Sequence, residues 1–138
     1  ALQMGATAFL SAGEDSAPEV NVALGGPPDI VFECVGLPDM LMRSTTLVRD
    51  RGTIIVLGFC TSPDPIVPAF ATWKEVTLKF AFGYSGREYE ITADTLDAGH
   101  VEPRAMVTDR VGLDHLPEVF ETLRRKTTQC KVMVTPWE

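Results

Sequence analysis

The stretch DIVFECVG, residues 29 to 36, decides the fold of this chain. It is a run of strand-forming residues that carries a carboxylate, Glu33, near its end and stops at a glycine, Gly36. A second run, TIIVLGF at residues 53 to 59, has the same apolar character. Nearly continuous apolar runs of this length are typical of parallel strands covered on both faces. We therefore expect an α/β fold built on a parallel sheet.

A helix pattern joins these two strands. Pro38 suits a first helical position, and Gly52 follows the pattern as a stop. Between them, Leu41 and Val48 recur at helical spacing. The order strand, helix, strand is that of a parallel crossover unit.

Two further helices are predicted in the C-terminal half. Ser85 and Glu88 have the spacing of a capping box, which predicts a helix over residues 87 to 98. Asp114 is expected to cap a last helix, because the apolar residues after it recur at i, i+3, i+4 and i+7. These apolar residues are Leu116, Val119, Phe120 and Leu123.

Three further strands are predicted, at residues 7 to 10, 76 to 84 and 131 to 135. In the second of them, small or polar residues alternate with Val76, Leu78, Phe80, Phe82 and Tyr84. One apolar face suits an edge strand, and a long edge with a single charge, Lys79, pairs readily with a second copy. We predict a homodimer through residues 76 to 84; the alternative is an edge covered by other parts of the protein.

Composition and charge narrow the class of protein. The chain has 138 residues, enough for one domain, and a net charge of −7 that disfavours nucleic acid and anionic lipid as partners. No apolar run is long enough to span a membrane. The cysteines, Cys34, Cys60 and Cys130, are odd in number and widely spaced, which favours a reducing, cytoplasmic location. The chain begins without methionine or a signal sequence, so we expect a piece of a longer protein.

No catalytic residue and no metal ligand is assigned from the sequence. His100 and His115 have no partner at metal-ligand spacing, and no serine or cysteine lies in a nucleophile motif. Neither a G-x-G-x-x-G nor a phosphate-loop pattern occurs. The remaining candidates are the strand ends at Gly36, Gly58 and Gly83, since ligands bind outside the carboxyl ends of strands in open α/β sheets. The alternative is that these glycines only make turns.

In order, these segments resemble the cofactor-binding domain of medium-chain dehydrogenases, the zinc-type alcohol, sorbitol and threonine dehydrogenase family. QMGATAFL resembles a helix end and strand of that domain, and DIVFECVG its fourth strand. LVRDRGTIIVLG is similar to the next helix and strand, and EVTLKFAFGYS to the late edge strand. The last 38 residues, from VEPRAM onward, are similar to its closing helix and strand.

The resemblance implies a role for particular residues in binding NAD or NADP. The adenosine part would be bordered by Cys34, Val35 and Gly36. The nicotinamide would be lined by Leu57, Gly58, Ala81 and Gly83. Lys131 matches a basic position that contacts the pyrophosphate; the alternative is an ordinary exposed lysine. Glu33 belongs to the family pattern, and we interpret it as a non-catalytic carboxylate held by hydrogen-bond donors at the strand end.

The resemblance also implies what this chain lacks. In the family, the glycine-rich fingerprint and the acidic residue that selects NAD over NADP lie on the first two strands, and the zinc ligands lie earlier still. Residues 1 to 138 are thus expected to be a partial NAD(P)-binding, Rossmann-like domain, with an incomplete doubly wound parallel sheet. The strands of this sheet lie in the order 3-2-1-4-5-6, and residues 7 to 10 would form strand 3. Without strands 1 and 2, strand 3 has no neighbour. We expect that segment to be rearranged or poorly ordered, or paired with a second copy.

The family therefore implies an oxidoreductase. The whole protein would transfer hydride between a small alcohol or polyol and NAD(P), with zinc polarising the alkoxide, and this chain alone would be inactive. Two alternatives stay open: a non-catalytic dimerisation or binding module on a Rossmann-like scaffold, and a zinc-independent quinone or enoyl reductase.

Overall fold

A computed structural model describes residues 1 to 11, 13, 16 to 125 and 127 to 137. The chain forms two compact units. The first unit comprises residues 8 to 84, and the second unit comprises residues 1 to 7 together with residues 85 to 138. Each unit has its own sheet. That residues 1 to 138 form one partial domain stays a prediction.

The first unit is a three-stranded parallel sheet with helices between the strands. Its elements are α1 (Ala17–Leu24), β1 (Ile30–Glu33), α2 (Met40–Leu47), β2 (Thr53–Val56), α3 (Pro68–Trp73) and β3 (Thr77–Phe80). The sheet order is β1-β2-β3, and the register aligns Glu33 with Val56 and Val56 with Phe80. The prediction of an α/β fold with a parallel sheet is confirmed, and β3 lies at an edge of the described sheet.

The core of the first unit lies on one face of this sheet. Val48, Ile54 and Val56 are buried, and Val31, Leu41 and Val76 pack against them. Successive strand residues point to opposite faces, so Phe32 points away from this core and is 58% exposed. The prediction that both faces are covered is wrong for β1, because Ile30 and Phe32 are exposed on one face, whereas the other face has the partly buried Val31 and the buried Glu33.

Three further predictions of secondary structure are also wrong. Pro38 lies before α2, because Asp39 has a left-handed φ of 71°, which is incompatible with helical geometry. The strand predicted at residues 7 to 10 is not formed, and that segment is irregular. The nine-residue edge strand is four residues long, since β3 pairs over the four residues of β2.

The second unit contains α4 (Gly86–Asp97), β4 (Val107–Val111), α5 (Leu116–Leu123) and β5 (Lys131–Val134), with β4 parallel to β5. The predicted capping box is confirmed: the Glu88 amide donates to Ser85 Oγ at 3.3 Å, and the Ser85 amide donates to Glu88 Oε2 at 2.6 Å. Asp114 does not cap α5, because it lies within a 3₁₀ turn, Leu113–His115, that precedes the helix.

Among the described residues, no helix has the length and apolar character needed to cross a bilayer.

Candidate functional site

A cavity of about 480 Å³ opens at the carboxyl ends of the three parallel strands of the first unit. The last residues of the strands, Glu33, Val56 and Phe80, form its floor. Its walls come from the segments that follow β2 and β3 and from Leu41 of α2. This is where ligands bind in open α/β sheets, because the loops at that edge diverge and leave a crevice.

Glu33 ties together the loops that follow β1 and β2. Its side chain is only 6% exposed, and Oε1 accepts hydrogen bonds from the amides of Val35, at 2.6 Å, and Gly36, at 2.8 Å. Its main-chain carbonyl accepts from the amides of Leu57, at 2.8 Å, and Gly58, at 2.9 Å. The interpretation of Glu33 as a carboxylate held by donors at the strand end is confirmed.

The second carboxylate oxygen of Glu33 has a different environment. A Cβ atom built on Gly58 would lie 2.4 Å from Oε2, so this oxygen lies against the loop that follows β2. Oε2 accepts no hydrogen bond from the residues that the structure describes, and Glu33 lines the cavity. It is therefore an acceptor that a ligand can use.

Gly36 and Gly58 are required because the two loops touch each other. A Cβ atom on Gly36 would lie 2.6 Å from the Phe59 amide nitrogen, and Gly36 has a left-handed φ of 67°. A Cβ atom on Gly58 would lie 2.3 Å from the Gly36 amide nitrogen. These glycines do more than make turns, since each leaves room for the main chain of the other loop.

Asp64 fixes the wall of the cavity to α2. Its Oδ1 accepts from the Asp39 amide at 2.6 Å and its Oδ2 from the Leu41 amide at 3.1 Å. The sequence analysis missed this residue, since a cap supplied from 25 positions away leaves no local pattern. Two aromatic rings were missed as well: Phe59 and Phe82 both line the cavity, 5.8 Å apart between ring centroids, and are 76% and 89% exposed.

The structure brings only some of the predicted cofactor residues together. Gly58 and Ala81 line the cavity. The others of the first unit lie in the loops at the same strand ends: Cys34, Val35, Gly36, Leu57 and Gly83. Lys131 is the first residue of β5, in the second unit, and is exposed. The roles of these residues in binding NAD(P) stay predictions.

The charge of the cavity is negative. Two carboxylates, those of Glu33 and Asp64, line it, and no lysine or arginine is found among the described residues of its lining. Both oxygens of Asp64 already accept hydrogen bonds, whereas Glu33 has one oxygen left. Within the described ranges, no three His, Cys, Asp or Glu side chains are grouped so that they could hold a metal ion.

Relatives of known function share this sequence pattern and fold. A family model described as zinc-binding dehydrogenase matches residues 1 to 98, which include the whole first unit and α4. Sorbitol dehydrogenase of Ovis aries is 26% identical over 121 residues, which are 88% of this chain and 34% of the relative.

Solved structures agree with this match. The crystal structure of 2R,3R-butanediol dehydrogenase from Bacillus subtilis superimposes with a TM-score of 0.78 at 26% identity, over 90% of this chain and 36% of that one. A Sinorhizobium meliloti 1021 protein bound to NADP matches with a TM-score of 0.73 at 27% identity, over 80% of this chain and 32% of that one. This chain spans about a third of the length of these relatives. The family model covers well over half of its residues, and the chain therefore belongs to the zinc-binding dehydrogenase family.

Proposed function

We propose that this chain is the C-terminal part of the cofactor-binding region of an NAD(P)-dependent alcohol or polyol dehydrogenase. The cavity at the carboxyl ends of β1, β2 and β3 would hold the nicotinamide end of the cofactor. The observation that carries the proposal is the convergence of Gly58 and Ala81, from two different strand ends, on this one cavity. The NADP bound to one structural relative supports the cofactor class.

The size of the cavity fits part of a dinucleotide. At about 480 Å³ it falls within the range of small-molecule sites, which is roughly 300 to 1,000 Å³. A ring with its sugar fills such a space. The adenosine part would lie over the loop at residues 34 to 36, which adjoins the cavity through Glu33. Lys131 is proposed as a contact of the pyrophosphate.

The reaction belongs to the whole protein. Bound NAD(P) supplies the hydride acceptor, and the residues described above bind and orient its ring. The described residues do not offer a zinc site, so a zinc ion of the whole protein would be held by residues other than these. Sorbitol and butanediol dehydrogenases among the relatives support a small alcohol or polyol as the substrate.

Binding of NADH to the 138-residue chain tests this assignment. At millimolar NADH, we expect chemical-shift changes centred on the amides of Gly58 and Ala81. The variant Ala81→Phe fills the cavity and should abolish these changes, whereas Ala98→Phe, at the exposed end of α4, should leave them intact. Unchanged Gly58 and Ala81 signals in the unsubstituted chain would overturn the proposal.

We also propose that β3 pairs with β3 of a second copy. Support comes from its position, since it pairs with β2 alone among the described strands and all four of its residues are exposed. The Thr77 and Ala81 amides donate towards β2, so by alternation the Phe80 amide points outward. Phe80→Pro removes this outward donor, whereas Phe80→Ala removes the same ring and keeps it.

Sedimentation of the chain distinguishes the outcomes. The unsubstituted chain and Phe80→Ala are expected to sediment as dimers, and Phe80→Pro as a monomer. A monomeric unsubstituted chain, or a dimeric Phe80→Pro, contradicts pairing through this edge.

We also propose a cytoplasmic location for the protein. The three cysteines are free thiols in the structure, which supports a reducing compartment.

A further inference from the structure

The cavity contains a buried negative charge that the fold itself does not require. Oε1 of Glu33 accepts both amide hydrogen bonds that hold the loop after β1. The uncharged carbonyl of a glutamine would accept the same two bonds. A carboxylate is costlier to bury than an amide, because a charge loses more solvation. The two hydrogen bonds to the loop therefore account neither for the negative charge of Glu33 nor for its second oxygen, Oε2.

The partner of Oε2 is not found among the residues that the structure describes. No described donor reaches it, and the side chains of the described residues that line the cavity include no lysine or arginine. The other carboxylate, Asp64, is fully engaged with the amides at the start of α2. Oε2 is not one of the fully buried side-chain atoms that lack a partner, so it is open to the cavity, and its donor has to be a water molecule or a ligand there.

The other residues that line the cavity indicate which kind of ligand would donate to Oε2. A carboxylate accepts hydrogen bonds and repels anions, so phosphate is disfavoured in the cavity. The exposed rings of Phe59 and Phe82 present aromatic faces, which attract flat rings and cations. A flat, positively charged ring with an N–H or O–H donor satisfies both features.

We propose that Glu33 is a specificity-determining residue: Oε2 accepts a hydrogen bond from the bound ring, and its charge selects the cationic over the uncharged form. This inference rests on the proposed function. It assigns to Glu33 a preference for the oxidised nicotinamide, which is cationic, over the reduced ring, which is neutral.

Two small probes test the preference without the phosphates of the dinucleotide. N1-methylnicotinamide is a cationic ring with a carboxamide, and benzamide is its uncharged counterpart. Titration of the chain, followed at the amides of Gly58 and Ala81, should give about ten-fold tighter binding of the cation, as expected for a hydrogen bond to a charged group. Glu33→Gln should reduce the ratio to about two-fold or less.

Two controls distinguish the loss of the Glu33 charge from a change in the structure of the loop. In Glu33→Gln, retained shifts of the Val35 and Gly36 amides show that the loop is intact. Glu75→Gln removes the same charge outside the cavity, from a residue paired with Arg51, and should keep the ten-fold ratio. A ratio near one in the unsubstituted chain, no binding of either probe, or an unchanged ratio in Glu33→Gln would each overturn the role of Glu33.

The two proposals fail in different ways. If NADH shifts Gly58 and Ala81 but the probes show no dependence on Glu33, the cofactor site stands and this inference is overturned. If the probes show the preference and neither NAD⁺ nor NADH binds, this role of Glu33 is supported and the assignment of the cavity to NAD(P) is overturned.

Discussion

The main chains of Gly36 and Gly58 are in direct contact: a Cβ atom on Gly58 would lie 2.3 Å from the amide nitrogen of Gly36. This contact joins the loops that follow β1 and β2, and it lies beside the buried carboxylate of Glu33. The separation of the two loops is therefore set by the absence of a side chain at position 58.

Gly58→Ala should destabilise the first unit by about 2 kcal/mol or more, because the added methyl group clashes with the Gly36 main chain and with Glu33 Oε2. Urea unfolding measures the loss. Gly13→Ala, in the same unit, is the control, since a Cβ atom there meets nothing within 4 Å, and a change within about 0.5 kcal/mol is expected. Equal stability of the two variants would contradict the close contact.

Asp64→Ala should destabilise the first unit by about 1–2 kcal/mol, the usual loss when a helix N-terminus loses its capping side chain. The reason is that the amides of Asp39 and Leu41 lose their acceptors. Asp64→Asn keeps one acceptor oxygen. Its free energy of unfolding in urea should therefore lie between those of the unsubstituted chain and Asp64→Ala. Asp50→Ala serves as control, because no side-chain hydrogen bond of Asp50 is found in the described structure. A loss as large in that control would show that Asp64 does not act as a cap.

Lys74→Met should destabilise the C-terminal end of α2. Lys74 Nζ donates to the carbonyls of Thr45, at 2.9 Å, Thr46, at 3.2 Å, and Val48. A cation at a helix C-terminus also interacts favourably with the helix dipole. We expect a loss of about 1–2 kcal/mol in urea unfolding, and little change for Lys79→Met, whose side chain is exposed on β3. Faster amide exchange at Val48 should accompany the loss, and unchanged exchange there would count against the capping role.

Features predicted from the sequence are those fixed by local spacing. The Ser85–Glu88 capping box involves residues three positions apart, so its pattern is visible in the chain and its hydrogen bonds are present. The strand runs around residues 29 to 35 and 53 to 59 were found for the same reason, because apolar β-branched residues are grouped there. β4 was missed, since VTDRV contains two charges within five residues.

The structural features that could not be predicted from the sequence depend on residues that lie far apart in the chain. The length of β3 is set by the four residues of β2 that it pairs with, and not by the nine-residue alternation of its own sequence. Both ends of α2 are held by side chains from elsewhere in the chain, Asp64 and Lys74. The role of Gly58 could be assigned only from the position of Gly36, which no single-chain pattern encodes.

Acidification should weaken the start of α4. Hydrogen bonds from the Ser85 amide and then from its side chain hold the pKa of Glu88 below its ordinary value of 4.5. A lowered pKa means that the ionised carboxylate favours the folded helix, so the stabilisation is fully present above 4.5 and is lost as the pH falls through the lowered pKa.

The chemical shift of the Ser85 amide should follow this titration, with a midpoint below 4.5 and faster amide exchange in the first turn of α4 at lower pH. Glu88→Gln keeps an oxygen acceptor but has no proton to gain, so its Ser85 signal should show no such midpoint. A midpoint at or above 4.5 in the unsubstituted chain would mean that the hydrogen bonds of the capping box do not favour the charged carboxylate in solution.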